Sequence, residues 1–232
     1  MQLLWDGFSG AIKLLAERDN LVLAATWRSL WISGLAVSLA SLLGVAIGLF
    51  LARARFFGRV AVLIAFRAGM SVPTVLIGLL CYAMLSRRGP FGGIDLLYTP
   101  WAIIIGEFFL ALPIIVTWTH GSIAALDSRV AETAITLGAG RSRRCFTYLS
   151  EARMGISLSI LSAFARCFTE LGVAIMVGGN IKYQTRTLTT ATALETARGE
   201  FERGVAMSLV LLFVAVFVTI VIAAIGRNEQ ET

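Results

Sequence analysis

Charged residues are scarce in this chain. They make up 15% of its 232 residues, hydrophobic residues make up 57%, and the mean hydropathy is +0.82. Soluble proteins carry about 25% charged residues, and a single core of this size could not bury so much apolar surface. The deficit therefore excludes a soluble domain and predicts a protein that lies in a lipid bilayer.

Residues with the chemistry of enzymes and metal sites are also few. There is one histidine, His120, and the cysteines at 81, 145 and 167 have no Cys-x-x-Cys spacing, so neither a metal site nor a disulfide framework is predicted. Ser122 lies close to His120, but residues at this spacing on a helix do not face each other as a nucleophile and its base must. We therefore predict that the chain is not an enzyme.

Three further features of the sequence narrow the possible functions of the protein. No Gly-x-x-x-x-Gly-Lys-Ser/Thr stretch is present, so the chain does not bind ATP through a P-loop of its own. The net charge of +6 comes from cations between apolar runs, where lipid headgroups are their partners, so nucleic acid is not a predicted partner. No internal repeat is apparent. Carriers that work as a single chain usually contain one, so a stand-alone channel or secondary carrier is disfavoured.

Five apolar stretches are each about twenty residues long, enough to cross a bilayer as helix. The chain is therefore predicted to be an all-α membrane protein of about five transmembrane helices. The second stretch contains Arg67, Gly69 and Pro73 and is predicted to be kinked or broken there. The predicted spans are 30–51, 60–85, 101–118, 156–177 and 205–225.

The spans divide the chain into an N-terminal periplasmic or interfacial segment at 1–29, a transmembrane domain at 30–226 and a tail at 227–232. Within the first segment, apolar residues recur at helical spacing and predict an amphipathic helix on the membrane surface. These are Leu3, Leu4, Phe8, Ile12 and Leu15. In the first span, small residues at every fourth position predict a seam for close helix packing. They are Ala36, Ala40, Gly44 and Gly48.

Several polar side chains within the spans cannot face lipid, because a charge at the bilayer centre costs roughly 3 kcal/mol or more. The fourth span is predicted to be one helix that places Gly155, Ser159, Ser162, Arg166 and Glu170 on one face. The intramembrane charges either hold the bundle together as ion pairs or line an aqueous path for an anion, and both interpretations stay open. The candidate translocation path comprises Arg67, Pro73, Glu107, Ser159, Ser162, Arg166 and Glu170.

The polar segment 119–155 contains a short amphipathic pattern that ends at Gly138 and Gly140. A helix of this kind suits either docking into a partner's groove or an ordinary interfacial loop. Its residues 131–139, Ala-Glu-Thr-Ala-Ile-Thr-Leu-Gly-Ala, resemble the EAA loop of binding-protein-dependent ABC importer permeases, with Thr133 in place of the middle alanine. The resemblance implies a type I importer fold and a cytoplasmic coupling helix. Its ATPase-coupling residues are Glu132, Thr133, Ala134, Leu137 and Gly138.

The resemblance extends over most of the chain, and segments 71–79, 86–92 and 177–190 are similar to the tungstate/molybdate permease branch. It implies tungstate as the substrate, with molybdate, sulfate or another solute as alternatives. It also implies a homodimer, two ATP-binding cassette subunits that hold ATP and magnesium, and a periplasmic or lipid-anchored binding protein. The protein then lies in the inner membrane with its N-terminus outside and its C-terminus in the cytoplasm.

The segment 178–204 combines cations with threonines and glycines. Backbone amides, hydroxyls and guanidinium groups suit a tetrahedral oxyanion, yet the segment equally suits docking of the binding protein. We expect docking. The candidate docking residues are Asn180, Lys182, Arg186 and Thr187.

Overall fold

The structure, a computed structural model, describes residues 9, 12, 13, 16, 17 and 19–227. The predicted N-terminal amphipathic helix lies outside these residues except for Ile12, and so does the tail beyond residue 227. From residue 20 onward the helices are α1 (Asn20–Arg53), α2 (Arg59–Gly69), α3 (Thr74–Leu85), α4 (Pro100–Ala124), α5 (Ser128–Thr136), α6 (Arg141–Glu151), α7 (Arg153–Phe168), α8 (Gly172–Gly178), α9 (Leu188–Ala197) and α10 (Phe201–Arg227).

The described residues contain three helices that could each cross a membrane and two bent helix pairs, which makes five candidate spans if each pair counts as one. The helices α1, α4 and α10 are each long and apolar enough to cross a membrane alone. The α2–α3 pair is bent by 101°, and the break falls where Arg67, Gly69 and Pro73 predicted it. Pro73 immediately precedes α3, where its fixed φ and missing N–H are tolerated.

The fourth predicted span is also broken, and here the prediction of one straight helix over 156–177 is wrong. The α7–α8 pair is bent by 59°, with residues 169–171 between the two helices. The Glu170 carboxylate accepts hydrogen bonds from the amides of Gly172 and Val173, at 2.7 and 3.2 Å. These bonds satisfy amides at the start of α8 that would otherwise have no partner in the membrane. They therefore lower the free-energy cost of breaking the helix here.

The small-residue seam of α1 is confirmed. Ala36, Ala40, Gly44 and Gly48 are all buried. A Cβ on Gly44 would lie 2.8 Å from Ile115 Cγ2, and one on Gly48 would lie 2.8 Å from Thr119 Cβ. Both partners belong to α4, so the absence of side chains on α1 lets these two helices pack at close range.

We predict that Gly48→Ala destabilises the protein by about 1–3 kcal/mol, because the added methyl group meets both Thr119 and the Val116 carbonyl oxygen, the latter at 3.0 Å. Gly34→Ala is the matched control on the same helix, since a Cβ there meets nothing within 4 Å. It should be neutral or slightly stabilising. Unfolding of purified protein in mixed detergent micelles measures both, and equal stability of the two variants would contradict the seam.

Segment 178–204, expected to be a loop, contains the helix α9. Thr187 caps it: its hydroxyl and that of Thr190 form a reciprocal capping box. The Leu188 amide donates to the Ser29 hydroxyl at 2.8 Å, and Leu188 and Ala191 are fully buried among residues of α1, α7 and α10. The start of α9 therefore lies against α1 inside the bundle rather than on its surface.

Candidate functional site

The surface helix α5 and its neighbour α6 form one end of the molecule. Asp127 caps α5 by accepting from the Arg129 amide at 2.9 Å. At its other end the Ala139 amide donates to the Ala134 carbonyl oxygen at 2.9 Å, and Gly138 has φ +71°. This is the Schellman arrangement, in which a glycine adopts the left-handed conformation and stops the helix. The predicted coupling helix is thus an independent, well-capped element.

Four of the predicted coupling residues are exposed and one is buried. Glu132, Thr133, Leu137 and Gly138 lie on the surface, and Leu137 is 80% exposed. Ala134 is buried, and together with Thr133 and Leu137 it lines a cleft between α5 and α6. Leu137 and the neighbouring Ile135, 56% exposed, form an apolar surface that none of the described residues covers.

The helices α5 and α6 pack directly against the ends of the spans. The Arg53 guanidinium, at the end of α1, lies 4.0 Å above the Tyr148 ring of α6 and donates to the Ile123 carbonyl oxygen of α4 at 3.2 Å. Tyr148 and Ile123 also belong to one buried cluster with residues of α7. The helices α5 and α6 therefore pack with the ends of α1 and α4 and the start of α7 as one unit. Sequence alone pointed to Arg53 only as one of the cations at the end of the first span and did not point to Tyr148, because nothing in the spacing of the two residues indicates this contact.

The break between α7 and α8 is the polar centre of the bundle. Arg166 Nη1 lies 2.7 Å from Glu170 Oε2, so the predicted pair forms. Glu170 is only 3% exposed and also accepts the two α8 amides, whereas the Arg166 side chain is 42% exposed. The Thr189 hydroxyl of α9 donates to the Glu170 carbonyl oxygen at 2.8 Å and joins α9 to the break.

Of the other predicted path residues, Glu107 lies close to the Arg166–Glu170 pair, because the thiol of Cys167, the residue after Arg166, donates to the Glu107 carbonyl oxygen at 3.5 Å. Glu107 is 2% exposed in α4, and its Oε2 atom has no hydrogen-bond partner among the described residues. Arg67 lies exposed on α2 and forms no ion pair within the described part of the chain. Ser159 is buried and donates to the Ile156 carbonyl oxygen of its own helix at 2.7 Å, while Ser162 is half-buried. Of the charges considered, only Arg166 and Glu170 pair with each other in the described residues.

The turn before α9 lies at the opposite end of the bundle and is held mainly by its own polar residues. Arg186 is 8% exposed; its Nε donates to Asn180 Oδ1 at 3.2 Å, and its Nη1 lies 3.7 Å from Glu195 Oε1. Thr187 is buried as the cap of α9. Lys182 is exposed, with its ammonium group 5.0 Å from the Tyr183 ring centroid. Arg186 and Thr187 thus shape this turn, and Lys182 presents a charge on it.

Bent apolar helices around the Arg166–Glu170 pair, with the capped amphipathic helix α5 exposed between two candidate spans, are the architecture of a multi-pass transport subunit. The chain belongs to the family of binding-protein-dependent transport system inner membrane components, whose family model matches residues 44–230. It is accordingly a multi-pass inner-membrane permease subunit of an ABC importer, a class that works with ATPase and binding-protein partners.

Several characterised proteins are similar to it. The tungstate uptake system permease protein of Campylobacter jejuni is 35% identical over 91% of this chain and 89% of its own length. That of Peptoclostridium acidaminophilum is 31% identical over 98% of this chain and its whole length. The molybdenum transport system permease protein of Escherichia coli is 28% identical over 88% and 96%. The fold matches a chain of the inward-facing MetNI methionine ABC transporter, with a TM-score of 0.67, 15% identity, and 90% and 95% of the two chains covered.

Proposed function

We propose that this permease carries tungstate. The observation that supports this most directly is its similarity to two tungstate uptake permeases, at 35% and 31% identity over nine-tenths or more of this chain. The molybdenum permease of Escherichia coli is less similar, at 28% identity, and molybdate is therefore the second candidate. Sulfate and other solutes remain alternatives of lower rank.

We propose a homodimer that works by alternating access, with two ATP-binding cassette subunits that hold ATP and magnesium. A homodimer is favoured because five spans are few to enclose a pathway alone, and two-fold symmetry is the commonest assembly. The exposed residues Leu137 and Ile135 are the apolar contact to the ATPase, and Gly138 and Glu132 border it. Closure of the ATPase pair moves α5 and α6, and the Arg53–Tyr148 contact carries that motion to the spans.

The orientation proposed is N-terminus outside and C-terminus in the cytoplasm. It follows from placing α5 and α6 on the cytoplasmic side, where the ATPase must lie. The contacts of Arg53 with Ile123 and Tyr148 put the end of α1 and the end of α4 on that same side. Lys182 and the turn shaped by Asn180, Arg186 and Thr187 then face outward, where a binding protein docks.

The proposed path for the oxyanion runs past the α7–α8 break. Arg166 is the cation best placed for it, because its side chain is 42% exposed while its partner Glu170 is buried. Its partial exposure leaves guanidinium donors free for an oxyanion. Ser162 lies on the same helix, one turn before Arg166, and is half-buried. Arg67 and Glu107 remain candidates on separate elements, and Pro73 marks the bend of the α2–α3 pair.

The substrate is tested by metal accumulation in cells that lack this protein and in cells with it restored, offered tungstate and molybdate at equal low concentration. We expect restoration to raise cellular tungsten at least tenfold and molybdenum little, as elemental mass spectrometry measures. Cells restored with the Gly138→Glu variant serve as the control for expression without coupling. Equal uptake of both metals would assign a mixed oxyanion permease, and no uptake of either would reject tungstate.

A further inference from the structure

We propose that a cleft at the opposite end of the bundle from α5 and α6 binds the phosphate group of an anionic phospholipid. The cleft lies between α1, the start of α4 and the turn at 183–184, and encloses about 490 Å³. Its lining combines one cation, aromatic rings and a side-chain amide. The residues that carry the argument are Trp27, Arg28, Trp31, Tyr98, Tyr183 and Gln184.

Arg28 is a half-buried cation without a carboxylate partner in the described part of the chain. Its Nε donates to the Arg186 carbonyl oxygen at 2.9 Å, which orients the guanidinium and leaves its two Nη nitrogens for a ligand. The Glu195 carboxylate near this turn is shared by Arg186 at 3.7 Å and Arg198 at 3.6 Å and forms no ion pair with Arg28 among the described residues. A cation withdrawn from water in this way needs an anion, and phosphate matches the planar guanidinium fork.

The walls of the cleft have the chemistry of a membrane interface. Trp27 is 69% exposed, Tyr183 57% and Tyr98 44%, although each is a large aromatic residue. Tryptophan and tyrosine prefer the headgroup level of a bilayer, where the ring meets apolar chains and the polar atom meets headgroups. These three rings surround Arg28 and would hold a lipid glycerol region beside it.

Two of these tyrosines are held in a strained backbone conformation. Tyr98 has φ +63° and Tyr183 has φ +62°, a region that bulky side chains rarely adopt. Each costs of order 1–3 kcal/mol, and such strain persists where the surrounding structure enforces it and gathers at ligand sites. The Tyr98 amide donates to the Val177 carbonyl oxygen at 2.9 Å, which fixes one wall to the end of α8.

A lipid suits the cleft better than a soluble anion because α1, the helix that carries Arg28, also exposes large apolar side chains. Leu23, one turn before Trp27, is 49% exposed, and Leu42 and Leu43 further along are 74% and 53% exposed. Apolar side chains exposed on a spanning helix face acyl chains. A ligand with an anionic head and apolar tails therefore matches Arg28 and this surface together. The inference concerns the spanning protein itself and holds whichever solute is carried.

The test is the number of phosphatidylglycerol molecules that remain bound to the purified full-length protein after its transfer from mixed phosphatidylglycerol/phosphatidylcholine bilayers, counted by native mass spectrometry. We expect Arg28→Gln to lower the affinity for phosphatidylglycerol about tenfold, the loss of one charge-assisted contact. Arg88→Gln is the matched control, because Arg88 is exposed in the segment before α4 and does not line the cleft. It should retain the wild-type affinity.

Trp27→Leu keeps the test valid if Arg28→Gln fails to fold, since the exposed Trp27 ring contributes little to the core. It keeps an apolar side chain but removes the indole, and should lower retention several-fold. Equal retention by wild type, Trp27→Leu and Arg28→Gln would overturn the proposal. So would complete displacement of the lipid by excess inorganic phosphate, which would assign the cleft to a soluble oxyanion.

Discussion

Replacement of Gly138 by glutamate is expected to abolish ATP-driven tungstate uptake while the protein still inserts in the membrane. Gly138 has φ +71° and ends α5 on the exposed surface next to Leu137. A glutamate there adds a backbone strain of about 1–2 kcal/mol and places a charge in the proposed contact with the ATPase. Uptake by restored cells measures the effect, and the amount of protein in isolated membranes shows whether it inserts.

Two matched variants separate the effect of backbone strain at residue 138 from the effect of a charge in the proposed contact with the ATPase. Gly138→Asn adopts the left-handed conformation at little cost and adds no charge, so it should retain most of the uptake. Gly138→Ala carries the strain without the charge, and a Cβ at this position meets nothing within 4 Å on this chain. It should give an intermediate rate. Normal ATP-driven uptake by Gly138→Glu would reject the coupling role of α5.

Replacement of Glu170 by alanine is expected to have the second large effect. It leaves Arg166 without its partner at 2.7 Å and the amides of Gly172 and Val173 without an acceptor. Removing one member of a buried pair costs about 3–5 kcal/mol, and the partial exposure of Arg166 favours the lower end of this range. We expect a loss of stability of about 3 kcal/mol. Uptake should fall to background, because the α7–α8 break is no longer held.

Arg166→Gln distinguishes a path residue from a structural one. Glu170 keeps its two amide donors in this variant, and the Arg166 side chain is 42% exposed, so the protein should lose much less stability than with Glu170→Ala. If Arg166 contacts the oxyanion, uptake should nevertheless fall at least tenfold. Stability from detergent unfolding and uptake from elemental mass spectrometry are compared for the same preparations. Near-normal uptake at near-normal stability would remove Arg166 from the path.

The predictions that succeeded rest on local signals. The break of the second span follows from Pro73, which cannot continue the hydrogen bonds of a helix, and the end of α5 follows from Gly138, which alone adopts φ +71° there without strain. The seam at Gly44 and Gly48 follows from their four-residue spacing, which places them on one face. The Arg166–Glu170 pair was also expected from spacing, although the helix assumed to join them ends at Phe168.

The features that the sequence predicted wrongly, or did not predict at all, depend on contacts between distant segments. Segment 178–204 has the composition of a loop, but burial of Leu188 and Ala191 against α1 and α10 stabilises a helix there. The grouping of Glu107 and Arg67 with Arg166 and Glu170 rested on their depth in the spans and stays a prediction: Glu107 lies beside the pair, where Cys167 contacts its carbonyl oxygen, while Arg67 is exposed on α2. Neither the Arg53–Tyr148 contact nor the cleft around Arg28 has a pattern along the chain.

The amino-acid sequence by itself determined that this protein lies in a membrane, where its apolar candidate spans fall and where a capped helix stands between two of them. Those features depend on hydropathy and on backbone preferences of single residues, which act over one or two helical turns. Only the tertiary structure decided that Glu170 closes a break rather than extends a helix, and that Arg28 faces an aromatic cleft. Those outcomes depend on which segments pack together, because a buried amide or charge takes whatever partner the fold places beside it.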